Sequence, residues 1–125
     1  MPAVEWKNEP DDHDYPAAAS YLTLLLPPKD VSTFLARIAD APISSQKAKD
    51  ILRAARLPLL PPDNVHVQSD LAKIKKGDAL SPILILRGDF SSDVALQIAD
   101  GYHRVCASYH VDEDTDIPCR ITDLG

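Results

Sequence analysis

Apolar residues recur at helical spacing in three stretches of the first half of the chain, and the pattern shifts to strand-like runs in the second. Ala18, Tyr21, Leu22 and Leu25 share a helical face that follows Asp14, a cap residue, and Pro16, which suits a first turn; Pro27-Pro28 ends the segment. Val31, Phe34, Leu35 and Ile38 repeat the spacing between Asp30, a cap candidate, and Pro42, a stop. A third helix is expected from Ser44 or Ser45, carrying Ala48, Ile51, Leu52 and Ala55 inward and stopping before Pro58. Ahead of these, residues 1–14 are acidic and contain proline, so they are expected to lie over the surface with Trp6 tucked in.

From Pro61 the texture changes. Asn64-Val65-His66-Val67-Gln68 alternates like a half-buried strand, and Ser69 then caps a short helix, Asp70 to Lys76, closed by Gly77. Pro82-Ile83-Leu84-Ile85-Leu86 is a continuous apolar run, as expected of a central strand covered on both faces. Gly88 to Asp93 is a polar connection to a returning strand, Val94 to Ala99. A helix from Tyr102 to about His110, an acidic loop from Asp112 to Asp116 and a last strand from Ile117 to Ile121 complete the chain. Strands interleaved with helices make this an α+β chain. Residues 1–60 read as a helical N-terminal extension packed on a core formed by residues 61–125.

The junction at Asp100-Gly101 carries the chemistry. Strand, tight turn, helix is the geometry of an anion site: the glycine lets the backbone bend, and the first turn of the helix presents unpaired N–H groups and the positive end of its dipole. His103 and Arg104 fall in that first turn. Arginine offers a fixed fork of donors suited to phosphate oxygens, and histidine can donate, accept or change charge near neutral pH. Two cations at a helix N-terminus are disfavoured by the dipole, which points to a bound anion or to Asp100 as an internal partner. Removal of Arg104 is expected to leave the apo fold intact and to weaken anion binding; were the arginine instead to hold Asp100, removal would lower apo stability.

At 125 residues the chain is expected to form one domain. Its net charge of −6 argues against broad nonspecific nucleic-acid binding. Residues 1–60 hold 7 basic and 8 acidic residues and residues 61–125 hold 6 and 11, so any basic patch is local. Lys49 and Arg53, on the third helix, are the candidates for contact with DNA or a partner, and three short helices admit a helix-turn-helix. The prolines in the joining segments count against it. A polar N-terminus and the lack of a long apolar run lead to the expectation of a cytoplasmic protein with no membrane partner. Cys106 and Cys119 lack metal-ligand or CxxC spacing and read as reduced, buried thiols.

With these residues in view, the second half resembles the ParB/sulfiredoxin-like superfamily. The matching features are a lead-in strand at Val65–Val67, a lysine-bearing helix before Ser81-Pro82-Ile83-Leu84-Ile85-Leu86, the Ile98-Ala99-Asp100-Gly101-Tyr102-His103-Arg104 turn with Ala107 one turn on, and the Ile117-Pro118-Cys119-Arg120-Ile121 strand. The resemblance covers roughly residues 62 to 123. The whole chain resembles a bacterial family with an Asp-Gly-Tyr-His-Arg turn at its centre.

The resemblance implies a small mixed sheet with flanking helices and a nucleoside phosphate, ATP or CTP, at the turn. Asp100, Gly101, Tyr102, His103 and Arg104 would form the phosphate site, assisted by Lys73, with Mg²⁺ as the accompanying cation and Asp100 as a weak ligand to it through water. The implied role is a nucleotide-sensing or DNA-associated module, with a small phosphotransferase or nucleotide hydrolase as the alternative and a homodimer allowed. Two departures matter. Sulfiredoxins carry a reactive cysteine where this chain has Tyr102, so their reductase chemistry is not expected, and the catalytic glutamate of the related free-serine kinases has no counterpart beside His66 in the lead-in strand.

Overall fold

The computed structural model describes residues 2–124. Its elements are α1 (Asp14–Leu22), α2 (Pro28–Asp40), β1 (Ile43–Lys47), α3 (Ala48–Ala55), α4 (Val65–Lys76), β2 (Ile83–Leu86), β3 (Gln97–Asp100), α5 (Tyr102–Val111) and β4 (Asp116–Thr122), with a 3-10 turn at Phe90–Ser92. The fold is α+β. Its four-stranded sheet has the order β1-β4-β2-β3, with β2 parallel to β4 and antiparallel to β3, and β1 antiparallel to β4 at the far edge.

β2 is the fully buried central strand that its apolar run predicts. Alternate side chains of a strand point to opposite faces, so this one strand serves two layers. Ile83 and Ile85 pack with Ile51, Leu52, Val67, Ile74 and Val105 from α3, α4 and α5. Leu84 and Leu86 face Leu22, Val31, Phe34 and Ile38 from α1 and α2. Trp6 packs against the first of these layers, and its backbone bridges to Leu80. Cys106 and Cys119 are free, buried thiols whose pKa values burial pushes up. No helix among the described residues is long and apolar enough to cross a membrane.

Four segments depart from the sequence pattern. Ser44 and Ser45 do not open a helix; they lie in edge strand β1, and α3 starts only at Ala48. The first N–H groups of α3 find their acceptors in the loop before β4, Ala48 N–H on Thr115 O and Lys49 N–H on Glu113 O, so no serine cap is needed. With a strand between them, α2 and α3 do not form a helix-turn-helix. The expected strand at Val65–Val67 is instead the first turn of α4, because the Asn64 side chain accepts from the N–H groups of His66 and Val67 and caps the helix there. Val67 and Ile74 are buried on the α4 face that Leu71 shares. The returning strand is shorter than expected and begins at Gln97. Asp30 lies in the first turn of α2 rather than at its cap, since Pro28 supplies the first helical residue.

Candidate functional site

The turn after β3 has the expected shape. Gly101 stands at the N-cap of α5 with φ +117°, and no side chain caps the helix. Gly101, His103 and Arg104 of this turn border a cleft of about 560 Å³. Lys73, Asp100, Gly101, His103 and Arg104 line it, joined by Lys7, Asp11, His13, Asp70, Asp78 and Ser81. Tyr102 is the exception: its ring packs against the core, and its hydroxyl donates to Pro58 O at 2.6 Å.

Arg104 is committed internally. Its side chain is 14% exposed; Nη2 donates to Asp100 Oδ2 at 3.0 Å, Nη1 donates to Ser81 Oγ at 2.7 Å, and Asp14 Oδ1 lies 3.6 Å from Nη1. Asp14, expected as a helix cap, is instead a buried carboxylate whose Oδ2 accepts from Ser81 Oγ at 2.7 Å and from the Asp11 N–H at 3.0 Å. This network ties α1, the entry to β2 and the β3–α5 turn to one guanidinium. Burial raises the Asp100 pKa, against the opposing pull of Arg104. Asp11, His13 and Asp14 offer ligand atoms within 4.8 Å of one another, but Asp14 spends both oxygens on Ser81, the Asp11 N–H and Arg104. Of the trio, Asp14 is a counter-charge of the arginine, while Asp11 pairs with Lys7 at 2.9 Å.

A second cluster sits where α4 meets the start of α5. His66 and His103 approach with ring centroids 4.7 Å apart. Burial lowers the His103 pKa first and the neighbouring His66 lowers it further, so the imidazole favours its neutral form. Asp70 lies one helical turn after His66, with its side chain 14% exposed and Lys73 Nζ 3.9 Å away. Burial pushes its carboxyl above the ordinary value, only partly countered by Lys73, Arg104 and the two histidines.

This group was hidden in the sequence. With residues 65–67 taken as a strand, His66 and Asp70 fall on different elements; once α4 runs from Val65, the i, i+4 spacing puts them on one face. Asp14 and Ser81 are distant in sequence from the turn they hold and carry no local signal.

Because the folded protein holds the Asp70 proton to higher pH than the unfolded chain, this group favours folding below the unfolded carboxylate value of about 3.9. That contribution is lost as pH rises through the folded value. The Asp70→Asn variant is therefore expected to melt higher than the wild type at pH 7, with the gap closing as pH falls toward 4. Paired thermal melts across that range check it, and a variant that melts lower at pH 7 contradicts it.

The remaining candidates lie elsewhere. Lys49 pairs with Asp114 at 2.9 Å, and Arg53 pairs with Asp50 at 3.3 Å. Arg53 also lines a second cleft of about 570 Å³ with Arg56, Arg87 and the fully exposed Phe90. Compared with protein-family models, with curated proteins and with solved structures, the chain shows no match.

Proposed function

We propose that the protein binds a nucleoside phosphate in the cleft at the N-terminus of α5, as a nucleotide-sensing module. The carrying observation is the uncapped first turn of α5, opening behind Gly101 onto a cleft that also holds His103 and Lys73. Free N–H groups and the helix dipole favour a phosphate at that position, and Lys73 adds a charge. The cleft volume of about 560 Å³ suits a mononucleotide. The resemblance of the Ser81–Leu86 run, the Asp100–Arg104 turn and the Ile117–Ile121 strand to ParB and sulfiredoxin proteins favours the same reading, while the lead-in strand of that pattern is helical here.

The geometry refines the roles. Arg104 acts from behind, fixing Asp100 and the turn, while the direct contacts fall to the backbone N–H groups of α5, His103 and Lys73. Asp11, Asp70, Asp78 and Asp100 also line the cleft. A bare polyanion would meet these carboxylates, so the ligand enters with Mg²⁺ held mainly by its own phosphates and water. A cytoplasmic setting supplies both. The phosphotransferase or hydrolase alternative draws on one observation, the carboxyl of Asp70 in the same cleft.

Calorimetric titration with ATP, CTP and GTP in the presence of Mg²⁺ tests the assignment. At least one is expected to bind, and Lys73→Ala is expected to weaken it by about 1.5–3 kcal/mol, the cost of a charge-assisted contact, or roughly one to two decades in Kd. Absence of heat with all three nucleotides overturns the proposal.

A further inference from the structure

We infer that Asp70 is the proton acceptor of this cleft, taking the proton of an O–H nucleophile as the terminal phosphoryl group of a nucleoside triphosphate is transferred to it. The inference rests on the nucleotide reading above. Its ground is a contrast among the covered carboxylates. Asp14 accepts from Ser81 and the Asp11 N–H, and Asp100 accepts from Arg104. Asp70 is about as covered as Arg104, yet it accepts no hydrogen bond from any described residue; its nearest cation, Lys73 Nζ, stands off at 3.9 Å. A carboxyl that lines the cleft and is engaged by no donor of the fold is placed for an O–H group that arrives there.

The surroundings suit that role. His66 and Lys73 flank Asp70 on α4, His103 and Arg104 face it from α5, and Asp78 and Asp100 line the same cleft. A carboxylate held above its ordinary pKa is a stronger base at neutral pH than an exposed one. With water as nucleophile, its oxygen lone pair forms the new P–O bond. The bond from the terminal phosphorus to the bridging oxygen breaks, and its electron pair leaves on the nucleoside diphosphate. The water proton goes to Asp70, while Lys73 and the N–H groups of α5 offset charge on the transferred group.

The test is a single-turnover assay with protein in excess over terminally labelled nucleotide and Mg²⁺, using whichever of ATP, CTP or GTP the calorimetry shows to bind. Wild type is expected to release inorganic phosphate above the protein-free rate. Asp70→Asn is expected to keep nucleotide affinity within about threefold and to release phosphate about 100-fold more slowly or worse, the usual contribution of a positioned base. The wild-type rate should fall at low pH along a limb that Asp70→Asn lacks, while the groups around it, His66, Lys73, His103, Arg104, Asp78 and Asp100, are present in both. Unchanged release by Asp70→Asn, loss of nucleotide affinity in that variant, or tight binding without release by the wild type each overturns the inference while leaving the binding site standing. Failure of every nucleotide to bind the wild type removes the binding proposal, and this one with it.

Discussion

Gly101→Ala is expected to destabilise the protein by about 2–5 kcal/mol, whereas Gly77→Ala, at the other glycine with positive φ, is expected to cost only about 1 kcal/mol. Both residues need a left-handed backbone, at φ +117° and +82°, which an L side chain adopts with difficulty. They differ in what a Cβ would meet. At Gly77, the C-cap of α4, nothing lies within 4 Å. At Gly101 the added methyl would overlap Ile83 Cγ2 and come within 2.8 Å of Ile83 Cβ and Arg104 Nη2. Neither neighbour can yield easily: Ile83 is wholly buried in the central strand, and the arginine fork is fixed by Asp100 and Ser81. Overpacking of this kind adds about 1–3 kcal/mol to the conformational cost. Denaturant unfolding of the two variants beside the wild type measures both losses, and equal losses would contradict the close packing at the turn.

Arg104→Met is expected to cost about 3–5 kcal/mol without any ligand, because it leaves a buried carboxylate without its counter-charge. The longer apolar side chain preserves much of the stem packing, so the loss reports the guanidinium. Asp14, 3% exposed, would keep Ser81, a backbone N–H and the exposed His13 ring, whose Nε2 lies 3.5 Å from Oδ1, and Asp100 would lose its hydrogen-bond donor. Joining Asp14→Asn to Arg104→Met is expected to recover part of the loss, since the stranded charge is then absent; additive losses in the double-mutant cycle would show that the two do not interact. The sequence pattern predicts an arginine whose removal leaves the apo fold intact, and the geometry corrects this: the side chain holds the turn through Asp100 and Ser81.

How much of this could be read in advance depends on how local the determinants are. The central strand was visible because Ile83 to Leu86 is apolar throughout, and the turn because Asp100-Gly101 separates a strand pattern from a helical one. β1 was not visible: Ile43-Ser44-Ser45-Gln46-Lys47 has weak strand character of its own and is held by pairing with β4, about 75 residues away in the sequence. The α4 terminus is ambiguous in sequence because Val65-His66-Val67 fits a period of two as well as a helical first turn, and the Asn64 cap decides between them. A strand at 65–67 would separate His66 from Asp70, which the helix brings to one face. The arginine network was out of reach for a different reason, since Asp14, Ser81 and Arg104 meet only after both layers have packed on the sheet.

The most direct measurement is a backbone-amide NMR titration of the folded protein with Mg²⁺ and each of ATP, CTP and GTP. For the nucleotide that binds, saturable shifts are expected at Gly101, Tyr102, His103 and Arg104 and at Asp70 and Lys73 on the facing helix, with Arg53, Arg87 and Phe90 around the second cleft unmoved. Spectra that do not change with any nucleotide, or shifts confined to the second cleft, would contradict a phosphate site at the start of α5.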